Sequence, residues 1–284
     1  MTITQADFGA DKNEQFNRVI EFENECTPAE FISISNSKVP EIFAARISDT
    51  AKTILLLNKT PRSFIRQEIC EDAVLYTARN GRSKSLVIGF CGRAHRLMLP
   101  LPIFLQIFPE ADFDLLLLRD RSQRLFLGGI NGLGVGFAET ISTLSRLVKE
   151  MGYEDTRCYG TSAGGAPALY AALGLGSSVG LSISGKHPKV LQGNMQFPAG
   201  FDGTEFDILN SPPMMNMYHP DLTAVFGSDC PRDEMGADVI AQHIPSVSKI
   251  VLEDCASHNI NAWLLKRGTL RQFHETFLFK KVER

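Results

Sequence analysis

The chain has 284 residues, a formal net charge of −3 at pH 7 and 44% hydrophobic residues. This composition is typical of a soluble globular protein, and the net charge is too close to zero for a protein that attracts polyanions electrostatically. We therefore expect no nucleic acid partner.

No stretch of the sequence predicts a membrane span or a secretion signal. Residues 1–9 contain neither a basic segment nor an apolar core of signal-peptide length, and no segment offers about 18 uncharged apolar residues. The most apolar candidate, residues 97–108, is too short for a span and contains Pro100 and Pro102. We expect a cytoplasmic protein.

The six cysteines follow no pattern that points to a metal site or a disulfide framework. They stand at positions 26, 70, 91, 158, 230 and 255, without a CxxC pair and without metal-ligand spacing. We expect reduced, mostly buried thiols, no bound metal and no cofactor.

The first 50 residues predict an N-terminal extension of uncertain role. Residues 1–30 are rich in Asp and Glu and have little apolar periodicity, which is typical of a solvated helix or a mobile arm. Short runs of strand-forming residues appear at 31–34, 41–47, 53–57 and 73–78. We expect these runs to form antiparallel entry strands of a larger sheet.

From residue 81 onward, apolar strand patterns alternate with helical patterns. Strands are predicted at 85–90, 114–118, 156–159, 179–184, 222–227 and 249–253, and helices at 137–151, 166–173, 233–243 and 260–273. Such alternation predicts βαβ units and a fold of the α/β class, with a mostly parallel central sheet flanked by helices.

Residues 185–221 interrupt this alternation with a long segment that lacks clear periodicity. The segment contains five prolines together with Phe and Met side chains. Segments of this length are usually functional or disordered, and the aromatic content argues against disorder. We expect a small cap over a pocket, with a surface loop that contacts no ligand as the alternative.

A serine stands at the centre of the glycine-rich stretch G-T-S-A-G-G over residues 160–165. A strand pattern precedes this stretch and an apolar helix pattern follows it, so the chain must turn from strand to helix within two residues. A side chain at Gly160 or Gly164 would collide with the neighbouring strand and helix in so tight a turn. We expect the turn to leave Ser162 strained and exposed at its tip.

This G-x-S-x-G turn resembles the nucleophile elbow of the α/β-hydrolase superfamily. The resemblance covers roughly residues 73–273, and it implies a metal-free serine hydrolase that forms an acyl-enzyme, such as a carboxylesterase or thioesterase. It also implies a catalytic domain over residues 51–284 with the cap at 185–221, and a small-molecule acyl substrate.

The nucleophile of such an enzyme needs a histidine as its base and a carboxylate that orients the histidine. Of the six histidines, His258 alone lies in the loop between the final predicted strand and the final helix. Asp229 closes the preceding strand and is our choice for the acid. Asp233 is the alternative, although an aspartate just ahead of a helix is also what an N-cap requires. The order Ser162, Asp229, His258 matches that of the superfamily.

Acyl transfer also needs N–H donors for the oxyanion. The resemblance implies that one is the backbone N–H of Ala163, which follows the nucleophile. The other should come from the loop after the strand at 85–90, where G-F-C-G over residues 89–92 resembles the oxyanion turn of the superfamily. We nominate the N–H of Phe90, with that of Cys91 as the alternative.

Two arginines at predicted strand ends, Arg93 and Arg119, are candidates for binding a carboxylate or phosphate on the substrate. Two other functions are compatible with the same residues. One is an acyltransferase that uses the same triad, and the other is a binding module on a hydrolase scaffold that has lost turnover.

Overall fold

The computed structural model describes residues 11–79, 81–191 and 220–281. At its centre lies an eight-stranded sheet, accompanied by a two-stranded hairpin. The eight strands are β1 (Phe64–Cys70), β2 (Ala73–Ala78), β3 (Ser85–Phe90), β4 (Phe113–Leu118), β7 (Asp155–Thr161), β8 (Val179–Ile183), β9 (Asp221–Gly227) and β10 (Ser248–Leu252), and the hairpin pairs β5 (Gly129–Ile130) with β6 (Gly134–Val135).

The strand order is β1-β2-β4-β3-β7-β8-β9-β10. The pairs β1·β2 and β2·β4 are antiparallel, and all later neighbours in the sheet are parallel. Phe90 at the end of β3 pairs with Gly160 near the end of β7. The loops that follow these two strands therefore meet at the carboxyl ends of the strands, where parallel α/β sheets bind their ligands.

Helices cover both faces of the sheet and bury two separate hydrophobic clusters. They are α1 (Lys12–Glu25), α2 (Pro28–Ser35), α3 (Glu41–Leu57), α4 (Leu101–Ile107), α5 (Phe137–Glu150), α6 (Gly165–Leu175), α7 (Pro231–His243), α8 (Ile260–Lys266) and α9 (Leu270–Phe277). Residues of α1–α4, α8 and α9 share one cluster, and residues of α5–α7 share the other. The predicted α/β class is therefore confirmed.

The apolar patterns at β4 and α5 correspond to buried elements. Every residue of β4 is buried, as expected of a strand that is covered on both faces. On α5, which falls within the helix predicted at 137–151, one stripe of apolar residues faces the core, with Phe137, Ile141 and Leu144 buried. The periodicity thus predicts β4 and α5 correctly, whereas the single helix predicted at 260–273 is two helices, α8 and α9.

The first half of the chain differs from the prediction. The runs at 31–34, 41–47 and 53–57 lie in α2 and α3, and of the four predicted entry strands only 73–78 is a strand. Thr27 and Glu30 form a capping box at the start of α2, which sets a helix there despite the β-branched residues. β1, an edge strand with mostly exposed residues, was not predicted.

The N-terminal helices belong to the core rather than forming a solvated arm. Val19 and Phe22 of α1 and Phe31 of α2 are buried in the cluster on one face of the sheet. The predicted boundary at residue 50 falls inside α3.

The predicted cap over 185–221 lies mostly outside the described residues, which include only its ends, 185–191 and 220–221. Among the described helices, none has the length and apolar character needed to cross a membrane.

Candidate active site

The chain reverses from strand to helix at Ser162. β7 ends at Thr161, a short 3-10 turn covers Ser162–Gly164, and α6 begins at once. The φ angle of Ser162 is +52°, in the left-handed region that non-glycine residues rarely adopt. Such backbone strain is typical of functional positions that the surrounding structure holds in place.

Two glycines make this tight turn possible. A Cβ atom at Gly160 would lie 2.0 Å from the carbonyl oxygen of Gly164, and one at Gly164 would lie 2.2 Å from the carbonyl oxygen of Phe90. Both distances are far below van der Waals contact, so the expected collisions are confirmed.

The imidazole of His258 joins the serine to a buried carboxylate. Its Nε2 lies 2.9 Å from Ser162 Oγ, and its Nδ1 lies 2.8 and 2.9 Å from the two carboxylate oxygens of Asp233. A carboxylate only accepts hydrogen bonds, so Nδ1–H donates to Asp233 and Nε2 is left to accept from the serine hydroxyl. The side chain of His258 is 42% exposed, whereas that of Asp233 is buried.

The carboxylate that faces His258 belongs to Asp233 and not to Asp229. Asp229 lies in the turn after β9, where its N–H donates to the carbonyl of Cys255 and its exposed carboxylate accepts from Ser228 Oγ. Asp233 lies one helical turn further on, in the first turn of α7. The choice of Asp229 for this contact was therefore wrong, and the alternative Asp233 occupies the position.

The surroundings of Asp233 keep its carboxyl group ionised. Burial alone would raise its pKa, but hydrogen bonding to His258 and the charge of the imidazole, together with hydrogen bonds from Cys230 and Ser184, lower the pKa below its usual value. Ser184 Oγ also lies 2.9 Å from the backbone carbonyl of His258. Ser184 therefore contacts both Asp233 on α7 and the loop that carries His258.

Among solved structures, a hormone-sensitive lipase from a metagenome library matches this chain with a TM-score of 0.50 and 13% identity, over 89% of this chain and 97% of the lipase. The chain has the α/β-hydrolase fold.

Weaker matches include Est1E from Butyrivibrio proteoclasticus, with a TM-score of 0.49 and 13% identity over 76% of this chain and 99% of Est1E. An esterase of the bacterial hormone-sensitive lipase family matches with a TM-score of 0.47 and 14% identity, over 94% of this chain and 98% of the esterase. No protein-family model matches the sequence, and the search of curated proteins found no significant match.

The two candidates for the second oxyanion donor do not reach the cleft of this α/β-hydrolase fold. Phe90 is buried within β3 and pairs with β4 and β7 on either side, and the N–H of Cys91 donates to the carbonyl of Leu118 at 3.0 Å. Burial also raises the pKa of the Cys91 thiol to about 12, so the thiol stays protonated at neutral pH. Ala163 follows Ser162 in the 3-10 turn, where the first N–H groups have no partner within the helix.

A cleft of about 580 Å³ lies beside Ser162, which is within the usual size of small-molecule sites. Its described lining consists of Gly92, Arg93, Ala94, Arg96, Met98, Leu99, Pro100, Ser162, Lys186, His258, Asn259 and Ala262. Most of these residues come from the loop after β3.

Of the two arginines predicted to bind substrate, only Arg93 lines the cleft, and its guanidinium donates to Gln123 Oε1. Arg119 is buried away from the cleft, where its Nη2 donates to the carbonyl of Asn24 at 2.8 Å. The prediction for Arg119 was therefore wrong. Arg96 and Lys186 also line the cleft, and the sequence analysis gave neither of them a role. Lys186 falls in the aperiodic segment 185–221, where no pattern singles out a residue.

No group of three or more His, Cys, Asp or Glu side chains in the described parts of the chain could hold a metal ion.

Proposed function

We propose that this protein is a serine hydrolase that cleaves a carboxylic ester or thioester through an acyl-enzyme. The observation that carries the proposal is the continuous hydrogen-bonded chain from Ser162 Oγ through the His258 imidazole to the Asp233 carboxylate. The solved structure with the TM-score of 0.50 is a hormone-sensitive lipase, which agrees with ester cleavage.

In the first half of the reaction, Ser162 Oγ attacks the carbonyl carbon of the ester while His258 Nε2 takes the hydroxyl proton. Asp233 stabilises the imidazolium that forms and holds the ring with Nε2 toward the serine. The tetrahedral intermediate then expels the alcohol or thiol, which receives the proton from Nε2. A water molecule, deprotonated in the same way, releases the acid and regenerates Ser162.

The oxyanion of the tetrahedral intermediate needs two donors that are in place before the reaction. We assign one to the N–H of Ala163, at the start of the turn that leads into α6. We assign the other to the part of the loop after β3 that lines the cleft, beginning at Arg93, because the N–H of Gly92 already donates to the carbonyl of Arg96 at 3.1 Å.

Labelling with a fluorophosphonate probe, combined with hydrolysis of p-nitrophenyl esters of increasing chain length, tests this proposal. We expect labelling of the wild-type protein and turnover of at least one ester. Ser162→Ala should abolish labelling and lower kcat by about 10⁶-fold, as for other triad serines.

Ser142→Ala is the matched control, because Ser142 lies exposed on α5, where its hydroxyl donates to the carbonyl of Ala138. It should label and turn over ester like the wild type. Labelling that persists in Ser162→Ala would refute the assignment, and a wild-type protein that neither labels nor hydrolyses would indicate a binding module. Product analysis with competing alcohols and amines separates hydrolysis from acyl transfer.

A further inference from the structure

Arg96 stands at the wall of the cleft and close to the nucleophile. Its backbone carbonyl accepts from the N–H of Gly92 at 3.1 Å and from Thr161 Oγ1 at 3.5 Å. Thr161 directly precedes Ser162. The backbone of Arg96 therefore contacts the residue next to the serine.

A buried carboxylate on α1 fixes the guanidinium of Arg96. Glu23 is only 3% exposed, and it accepts from Arg96 Nη1 at 2.9 Å. The same carboxylate accepts from Arg46 Nε at 2.5 Å and Arg46 Nη2 at 2.6 Å. Arg46 therefore forms a two-point pair with Glu23, whereas Arg96 forms a single contact.

Because Arg96 contacts Glu23 through Nη1 alone, the edge of its guanidinium formed by Nε and Nη2 is available for another partner. Its Nε and Nη2 have no hydrogen-bond partner within the described residues, and its side chain is 22% exposed. This edge of a guanidinium binds a carboxylate with two parallel hydrogen bonds, as Arg46 does with Glu23. Glu23 pairs with both Arg46 and Arg96, so these three side chains together carry a net positive charge. Of the two arginines, only Arg96 lines the cleft.

The other Arg and Lys side chains of the described cleft lining are also positively charged. Arg93 and Lys186 line it, and no Asp or Glu is among the described lining residues. The backbone N–H of Lys186 donates to the carbonyl of Ser162 at 3.2 Å, so Lys186 lies directly beside the nucleophile. Among the described residues, Lys186 has no ion-pair partner.

We propose that Arg96, held by Glu23, binds a carboxylate on the substrate, so that the preferred esters carry an anionic group a few bonds from the reacting carbonyl. This inference rests on the proposed hydrolase function and names the substrate class of the same site. It assigns the α1 helix a function as well, because Glu23 is the positioning residue for Arg96.

The test compares matched esters that differ in charge. Mono-p-nitrophenyl glutarate and p-nitrophenyl valerate place the charge on the acyl side, and 4-acetoxybenzoate and its methyl ester place it on the alcohol side. We expect the wild type to have the higher kcat/KM for the anionic member of at least one pair. Arg96→Gln should lower that anionic-to-neutral ratio by about 10- to 100-fold, which is the range for a lost charge-assisted hydrogen bond.

Arg46→Gln is the matched control, because Arg46 shares Glu23 but does not line the cleft. Both variants disturb the buried cluster, so a purely structural effect would change them alike. We expect Arg46→Gln to keep the wild-type ratio and Arg96→Lys to restore part of it. An equal change of the ratio in both glutamine variants would overturn the proposal.

A direct binding measurement separates this inference from the proposed function. Glutarate should raise the melting temperature of Ser162→Ala, and this shift should vanish when Arg96→Gln is added. Ser162-dependent hydrolysis without any charge preference would overturn the anion site and leave the hydrolase. An Arg96-dependent glutarate shift without turnover of any ester would support the anion site and contradict the hydrolase.

Discussion

Two histidines in the last part of the chain lie next to hydroxyl groups carried by β7 and the turn after it, yet their environments differ. His258 Nε2 lies 2.9 Å from Ser162 Oγ, and His274 Nε2 lies 3.2 Å from Tyr159 Oη. The Nδ1 atom of His258 faces the carboxylate of Asp233, whereas that of His274 faces the backbone carbonyl of Leu270.

The partners of Nδ1 and the access of solvent separate the two imidazoles. A carboxylate stabilises a protonated ring, so His258 can take a proton during a reaction and give it back. His274 is fully buried beside neutral partners, and burial lowers its pKa to about 4. It therefore stays neutral at physiological pH and serves to satisfy the Tyr159 hydroxyl. The charged partner and the access of solvent thus make His258, and not His274, the candidate base.

The largest expected difference comes from replacing each histidine by glutamine. His258→Gln should lower kcat by about 10⁵-fold or more with little change in stability, because it removes the base from a half-exposed position. His274→Gln should cost about 2–4 kcal/mol of unfolding free energy, because it leaves buried polar groups without partners, while kcat per folded molecule stays within about threefold. Ester hydrolysis and urea unfolding measure the two effects. A large loss of kcat in fully folded His274→Gln would contradict the distinction.

The second-largest expected effect comes from replacing the Asp233 carboxylate that pairs with His258. Asp233→Asn should lower kcat by about 10⁴-fold, because the amide cannot stabilise the imidazolium and favours the wrong tautomer. Asp229→Asn is the matched control, since Asp229 has an exposed side chain one helical turn away, and its kcat should stay within about threefold of the wild type. Steady-state kinetics at neutral pH decides between them, and a larger loss in Asp229→Asn would restore the original choice of acid.

The smallest effect is a pH dependence of stability that originates at His274. The pKa of this histidine is about 4 in the folded protein and about 6.5 when the chain is unfolded, so the unfolded state binds more protons between these values. Stability should therefore fall by about 3 kcal/mol as the pH drops from about 6.5 to about 4. Buried His187, whose pKa burial lowers to about 3, should add to the slope in the same direction.

Urea unfolding of the wild type and of His274→Leu over this pH range gives the contribution of His274 alone. The variant should lose the equivalent of one proton from the slope, up to about 1.4 kcal/mol per pH unit. Identical slopes would show that His274 is already protonated or solvated in the folded protein.

The contrast between the elbow and Asp233 shows how far the sequence predicts the site. The turn at Ser162 can be predicted from the sequence because it requires glycine at positions 160 and 164. This requirement is local, so a short motif reveals it. Asp229 and Asp233 are four residues apart, and the Asp229 N–H donates to the Cys255 carbonyl while its side chain stays exposed. That contact joins separate loops, so no pattern in the sequence reveals it.

The N-terminal helices illustrate a different limit. Short apolar runs such as 31–34 are ambiguous between strand and helix, and the capping pairs Asp11 with Glu14 and Thr27 with Glu30 were the available signals for helices. The pairing of Glu23 with Arg96 spans 73 positions and follows from the packing of α1 against the loop after β3. Sequence patterns carry no information about such a distant pair.

The separation of the proposed triad along the chain has a consequence for biosynthesis. Ser162 and His258 are 96 positions apart, and His258 follows β10, an edge strand of the described sheet. A polypeptide that emerges from the ribosome therefore carries the proposed nucleophile, Ser162, long before the proposed base, His258. We expect the nascent protein to be inert toward esters until β10 docks, so that hydrolysis begins only in the finished molecule.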